Sequence, residues 1–562
     1  MLTRRDFMQV TAATAAMMAP LGGISTAAAA RKITQDEILK FDPVGQVTLL
    51  NFTDCHAQIV PLYFREPSVN IGVGEVNGLP PHLTGKDFLK EFGLAAGTRD
   101  AYAFSSEDFT RLAGEYGRIG GMAQMATMIK SVRAARPSNT LLIDNGDTWQ
   151  GSYTSLKTRG EDMVTVQNAL GVDVMTAHWE FTYGADRVQE LIEKCDFPFL
   201  AGNVRDTEFD EPVFESTHYF ERGGINIAVI GQAFPYTPIA NPRYMIPDWS
   251  FGIQEDIVRE NVNNARAKGA DLIVLASHNG FDVDRKLASR VDGIDVILTG
   301  HTHDAIPGVI QVNNTLLVAT GSHGKFLGRL DLDVQNKKVK NFSFKLMPVF
   351  SDAITPDSDM AGVVANIRAP HEKELSTVLA KTESTLYRRG NFNGTFDDLI
   401  CQAMLQERDA EIALSPGFRW GRTVPSGSDI TVDDVYTQTA ITYPTCYRNE
   451  MSGEFLKTIL EDVADNLFNV DPYYQQGGDM VRVGGMGYAI DVAKPIGSRI
   501  TDMTLLSSGA PIDPARNYIV SGWASVNEAA EGPPIYDVVT DYLKKEKVVN
   551  VPENKNIKIS GV

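Results

Sequence analysis

From residue 46 to about 334, short runs of Val, Ile and Leu alternate with stretches of helical periodicity. The runs fall at 47–52, 140–143, 173–176, 197–201, 225–230, 272–276, 296–299 and 316–319. They are apolar on both faces, so they read as strands covered on both sides. The stretches 122–135 and 185–194 carry an apolar stripe at helical spacing and fit the intervening layers. The pattern predicts a layered α/β domain over 40–350. Its last run, 327–334 (LGRLDLDV), alternates and reads as an antiparallel edge strand. Residues 57–118 break the rhythm. They are rich in Gly, Pro and aromatics, with no clean period. An insertion of that length beside a strand end is functional or disordered, and its aromatics favour a packed, functional one. A charged helical connector is expected over 351–385, then a smaller C-terminal α+β domain over 386–562.

Composition narrows the picture. The 562 residues exceed the ~250–300 at which one core stops growing, which agrees with two domains. Hydrophobic residues at 43% and charged residues at 22% describe an ordinary globular chain rather than a disordered one. The balance of 52 Lys+Arg against 71 Asp+Glu gives −19, which argues against nucleic acid or an anionic membrane as partner. Small anions then need local cations to hold them. Four cysteines, Cys55, Cys195, Cys401 and Cys446, are too few for a disulfide scaffold.

Residues 1–30 read as an address. Arg4 and Arg5 precede an apolar run from Met8 to about Leu21, and small residues follow to Ala30. This is the pattern of a cleavable twin-arginine signal, which directs a folded, cofactor-loaded protein to the periplasm. The competing readings are a general secretory signal and a membrane anchor. The run is too short and too alanine-rich to cross ~30 Å of hydrocarbon.

The candidate chemistry lies in where the histidines fall. Of nine, five sit just past predicted strands. Asp54-Cys55-His56 follows LLNFT, Asn145-Gly146-Asp147 follows LLID, and Ala177-His178-Trp179-Glu180 follows DVMT. Ser277-His278 follows LIVLA, and Gly300-His301-Thr302-His303 follows VILT. Parallel α/β sheets place ligands at the carboxyl ends of strands. A lone histidine there is usually a hydrogen-bonded neutral residue, and Asp-x-His alone is weak; the joint ordered pattern carries the inference. Imidazole with carboxylate suits Mn, Fe, Zn or Co. Asp54, His56, Asp147, His178, His278, His301 and His303 exceed what one ion uses, and two ions sharing a carboxylate would use them all. Cys55 sits between ligands and reads as structural.

In this order the motifs resemble the calcineurin-like metallophosphoesterases, and more narrowly the 5′-nucleotidase group, which pairs an N-terminal dimetal domain with a C-terminal substrate domain. The resemblance implies that Asp147 bridges the metals. One ion then takes Asp54, His56, Asp147 and His303; the other takes Asp147, His178, His278 and His301. Departures sharpen it. Where that group has Gly-Asn-His-Glu/Asp, this chain has Ala177-His178-Trp179-Glu180, so His178 replaces a ligand Asn and Trp179 a catalytic His. Indole has no titratable proton near neutral pH and cannot act as a general acid. Ser415-Pro416-Gly417-Phe418-Arg419 fills the place of an anion-binding Asn-x-Gly-Gly-x-Arg segment and keeps its arginine. Gly484-Gly485-Met486-Gly487-Tyr488 is similar to the Ser-Gly-Leu/Met segment, whereas residues 518–527 (YIVSGWASVN) lack the base-stacking ending.

With the HWEFTYG block, the insertion Pro61-Leu62-Tyr63-Phe64-Arg65-Glu66 and the leader, the chain resembles the SoxB-type thiosulfohydrolases of bacterial thiosulfate oxidation. That resemblance implies a dimanganese enzyme and a carrier partner, SoxYZ, with its cysteine on a flexible C-terminal arm. A hydroxide bridging two divalent metal ions, Mn2+ by the resemblance, would attack the sulfonate of a cysteine S-thiosulfonate and release sulfate. A persulfide leaves more readily than an alkoxide, so loss of the acid is tolerable. Trp179 then lines a dry slot or packs the core. Arg419 grips sulfonate oxygens or forms an interdomain salt bridge. The insertion would wall the cleft into a channel. The competing functions are a 5′-nucleotidase or cyclic-nucleotide phosphodiesterase with an altered site, and a non-catalytic metal-binding scaffold.

Overall fold

The structure, a computed structural model, describes residues 33–562; the expected export signal over 1–30 lies outside the described residues. In the N-terminal half two mixed sheets stack face to face. One runs Lys338–Pro348, Phe326–Gln335, Val47–Phe52, Thr140–Asp144, Val174–Met175. The other runs Ile310–Val312, Thr315–Ala319, Val296–Thr299, Leu272–Ser277, Ile225–Gln232, Thr217–Arg222.

The doubly apolar strands follow from this layering. Val47 and Leu49 point between the sheets, with Val274 and Leu298 from the facing sheet. Leu50 and Phe52 turn the other way, into a layer holding Met125, Ile129 and Val132 of helix Met122–Ala135. On the opposite flank Ile273 and Leu275 meet Val258, Val262 and Leu287 from helices Glu255–Ala267 and Phe281–Arg290. The side-chain period of two sends alternate residues to two buried surfaces, so neither face is polar. Val47–Phe52 is parallel to Thr140–Asp144, and Leu272–Ser277 is parallel to both Ile225–Gln232 and Val296–Thr299.

Several expectations change. The 327–334 run is antiparallel but internal: Phe326–Gln335 pairs with Val47–Phe52 on one side and Lys338–Pro348 on the other. The actual edge, Lys338–Pro348, is solvated along its first half, so it lacks an apolar run. The run at 197–201 makes only isolated bridges, Met175↔Phe199 and Leu200↔Glu215, among the described residues. The segment expected to be a helical connector contains helices Ser358–Arg368 and Glu372–Leu375, then a strand, Val378–Thr382. That strand pairs with Asp429–Thr431 and Val548–Val549 in a C-terminal sheet.

The C-terminal half adds a four-stranded sheet, Cys446–Ser452, Asn517–Trp523, Ile412–Ser415, Arg482–Gly484, and a three-stranded one around Met486–Asp491. Helices Thr395–Glu407, Val432–Thr439, Gly453–Phe468 and Ile535–Glu546 complete an α+β unit. The insertion is packed. Its helices Gly85–Glu91, Arg99–Phe104 and Phe109–Tyr116 send Phe88, Phe104 and Phe109 into the N-terminal core. Upstream, Tyr63 bridges Thr423, and Val73 joins the C-terminal core with Phe392 and Leu414.

Leu49 is 1% exposed between the sheets and Leu506 is 42% exposed. Leu49→Ala should lower stability by about 2–5 kcal/mol in chemical denaturation, and Leu506→Ala by no more than about 0.5. Equal losses would contradict the sandwich core.

Candidate metal centre

The strand ends deliver the ligands through unusual backbone. Asp54, His56, Asp147, His301 and His303 have φ of 51°, 46°, 56°, 75° and 59°. Asp and His tolerate left-handed backbone better than branched residues, yet each such residue costs of order 1–3 kcal/mol. Cross-loop hydrogen bonds hold it. Asp54 N–H donates to Gly146 O at 2.9 Å, His56 N–H to Asp147 O at 2.8 Å, and His301 N–H to the Asp54 carboxylate at 3.1 Å. Position 146 requires glycine: φ is 91°, and a Cβ there would lie 2.8 Å from Ala177 Cα.

These loops gather all seven predicted residues. Ligand atoms of Asp54, His56, Asp147 and His303 lie within 4.8 Å of one another, as do those of Asp147, His178, His278 and His301. Asp147 is common to both groups. Its Oδ2 is 3.1 Å from His278 Nε2 and 3.8 Å from His56 Nε2, and its Oδ1 is 3.2 Å from His178 Nδ1. His303 Nε2 is 3.1 Å from Asp54 Oδ1 and 3.1 Å from His56 Nε2. Bonds of ~2.0–2.2 Å to a common ion set neighbouring ligand atoms roughly 3–4.4 Å apart, so both groups have the span of a coordination shell.

The electrostatics fit cations. All seven residues are buried. Burial lowers His56 and His178 to about 4 and pushes His301 and His303 well below the usual range, so these rings are neutral lone-pair donors. Burial works against charge on Asp147 too, but His178 and His278 outweigh it and hold that carboxyl well below its ordinary value. His278 is raised to about 9: burial opposes its charge, and Asp147 and Asp54 overcome it. Burial also raises Asp54 to about 7, although His278 pulls it down, so these buried acids and imidazoles lack charge that divalent ions would supply. His178 Nε2, His301 Nδ1 and His303 Nδ1 have no hydrogen-bond partner. His278 Nδ1 instead donates to Asn145 O at 2.6 Å, which turns Nε2 towards Asp147.

Glu180 supports the centre without entering it. Its buried carboxylate accepts from the backbone N–H groups of Asp147, Thr148, Trp149 and His178 at 3.2, 2.7, 3.2 and 2.7 Å. One side chain therefore fixes two ligand loops. The sequence signal for it is a Glu two residues after a ligand position.

Trp179 and Arg419 both line the cleft above the ligands, with Phe418 and Trp420. Trp179 N–H donates to Asp147 Oδ1 at 2.8 Å. Its indole stands edge-on to Phe418 and Trp420, at 5.4 and 5.3 Å, so it packs the domain junction and faces the cleft together. Arg419 crosses the junction through a carbonyl oxygen rather than a carboxylate: it donates to His301 O across it, and to Gly478 O at 3.2 Å on its own side. Phe418 and Trp420 stack on each other at 4.1 Å, and Phe418 meets Trp523 edge-on, so these rings offer no parallel slot for a purine.

Other lining residues have no motif to announce them. Phe234 stacks on His301 at 4.0 Å. Arg389 is buried with its Nε unpaired, while adjacent Arg388 is bound to Asp397 at 2.8 Å. A neighbouring cavity shares His301 and Arg419 with this cleft and is lined further by Arg389 and by Val69, Asn70 and Ile71 of the insertion.

Comparison with known proteins agrees with this architecture. Residues 374–538 match the 5′-nucleotidase C-terminal domain. Bovine 5′-nucleotidase is 22% identical over 513 residues, 79% of this chain and 86% of its own length. The trifunctional nucleotide phosphoesterase YfkN of Bacillus subtilis is 25% identical over 557 residues, 79% of this chain, which spans 37% of that longer protein. The sulfate thiohydrolase SoxB of Thermus thermophilus, solved with glycerol, superposes with a TM-score of 0.90 at 38% identity, covering 93% of this chain and 98% of that one. At that identity over nearly the whole of both chains, the protein belongs to the SoxB family, within the 5′-nucleotidase group of metallophosphoesterases.

Proposed function

We propose that this chain is a thiosulfohydrolase. It hydrolyses the sulfonate of a cysteine S-thiosulfonate carried on the flexible arm of a SoxYZ-type carrier protein, in the periplasm after twin-arginine export. Asp54, His56, Asp147 and His303 would hold one divalent ion, and Asp147, His178, His278 and His301 the other, with manganese as the expected metal. The carrying observation is the cleft wall. Opposite the ligands stand the stacked Phe418 and Trp420, met edge-on by Trp179 from the ligand side, with the buried Arg419 beside them.

When bound, two divalent ions supply Lewis acidity and an activated water near neutral pH. The chain's residues do the rest. Arg419 presents guanidinium N–H groups to the terminal sulfonate, a planar fork matched to an oxyanion. Asp147, already bonded to the Trp179 amide, fixes the aromatic wall relative to the ligands. Trp179 keeps water from the leaving sulfur and offers it no proton. Water oxygen bonds to the sulfonate sulfur, the sulfur–sulfur bond breaks, and its electron pair stays with the departing persulfide. The products are sulfate, a persulfide on the carrier cysteine, and protons released to solvent; no oxidant or reductant is consumed. The Phe418–Trp420 pair, stacked on itself at 4.1 Å, and a non-titratable indole at position 179 support this substrate over a nucleotide.

The direct test is sulfate release from a carrier bearing cysteine S-thiosulfonate, with AMP as control. Sulfate release with little phosphate from AMP is expected; the reverse would assign a nucleotidase. Dialysis against a chelator should abolish turnover, and about two metal equivalents per chain should restore it; restoration by one equivalent would contradict the shared-carboxylate centre. Arg419→Ala should lower kcat/KM about 10- to 100-fold, the loss of a charge-assisted contact, with metal content unchanged. An unchanged kcat/KM would remove Arg419 from the anion grip.

A further inference from the structure

His323 belongs to none of the ligand motifs, yet it stands where three parts of the molecule meet. It lies in the loop after strand Thr315–Ala319, is buried, and takes φ 59°. Its backbone N–H donates to Asp54 O at 2.8 Å, which ties it to the first ligand loop. Its ring lies on Phe64 of the insertion at 4.2 Å. The same loop holds the insertion again through Lys325, which donates to Phe64 O at 3.3 Å and Glu66 Oε1 at 2.7 Å.

The third contact crosses into the C-terminal half. Gly421 N–H donates to His323 Nε2 at 3.1 Å. An amide is only a donor, so Nε2 must carry the lone pair, and the ring proton sits on Nδ1, which points at Ser322 Oγ at 2.7 Å. Gly421 ends the segment that carries Arg419 and Trp420. That segment is pinned at its other end by Asp479 N–H on Gly417 O at 2.9 Å. Its backbone leaves little freedom: φ at Gly421 is 118°, and a Cβ there would lie 2.0 Å from Gln438 Oε1.

We propose that His323 is a positioning residue: its unprotonated Nε2 holds the Gly421 amide across the domain junction and so aims the Arg419–Trp420 segment at the metal centre. Removing the acceptor leaves a buried amide unpaired and frees one end of the segment. The anion grip then loosens while the ligand shell stays intact. The inference rests on the reading of Arg419 as that grip, and not on which oxyanion is hydrolysed.

The experiment compares His323→Phe, His323→Gln and His323→Asn in the metal-loaded, full-length protein, with inorganic sulfate as the titrated probe. Phe keeps a ring on Phe64 but has no acceptor. Gln carries an acceptor at about the reach of Nε2. Asn tolerates the left-handed backbone but its acceptor is too short. Sulfate affinity should fall about tenfold in the Phe and Asn variants and stay within twofold of wild type in the Gln variant, with metal content equal in all. A ring needed only for packing gives the opposite ranking, with Phe near wild type and Gln impaired, and overturns the proposal. If His323→Phe fails to fold, Asn against Gln decides it: equal affinities overturn it. Sulfate that binds wild type no better than Arg419→Ala overturns the grip along with it. Sulfate binding without sulfate release from the carrier would sink the proposed reaction and leave the His323 comparison standing.

Discussion

The structure depends on one carboxylate that two sets of imidazoles must share. Asp147 is fully buried, and an isolated buried carboxylate would take up a proton rather than stay charged. His178 and His278 keep it ionised, and both stand on loops from other strands. Much of the local architecture follows from this. The left-handed backbone at Asp54, His56, Asp147, His301 and His303 brings the side chains inward, and Glu180 locks the Asp147 and His178 loops together. The strain and the buried charge make sense together if cations complete the site.

The second constraint is the junction of the two halves. The seven candidate ligands all come from the N-terminal half, whereas the residues facing them, Phe418, Arg419 and Trp420, come from the C-terminal half. Chemistry at the centre therefore depends on how the halves are registered. Several polar contacts set that register, among them Arg419 on His301 O, Gly421 on His323 and Gln150 on Ala440 O. The insertion adds Tyr63 against Thr423 and Val73 in the C-terminal core. Trp179 sits at the same seam, where a packing role and a cleft-lining role are one arrangement of rings.

Much of this was legible in the sequence because strand ends are legible. Runs such as 272–276 and 296–299, apolar on both faces, mark strands buried in a sandwich, and polar residues just beyond them must lie at an edge. That pattern puts His278, His301 and His303 at the carboxyl ends of strands from the sequence alone. What stayed hidden had no local signature. Lys338–Pro348 is an edge strand with one solvated face, and its polar half masks it. Arg389 and Phe234 become neighbours of the centre only through tertiary packing, and a buried Arg reads like a surface one in a chain with many. Glu180 keeps the acidic position of the motif, but its role, four backbone amides on one carboxylate, shows only in the fold. The insertion's anchoring in the other half joins residues far apart in sequence, which neither period nor composition reports.

The measurement that bears most directly on the central claim is anomalous X-ray diffraction from crystals of the metal-loaded protein. Two peaks roughly 3.5–4 Å apart, one on each side of the Asp147 carboxylate, are predicted. A single peak, or peaks that leave Asp147 out of both coordination shells, would contradict the shared-carboxylate centre on which the proposed chemistry rests.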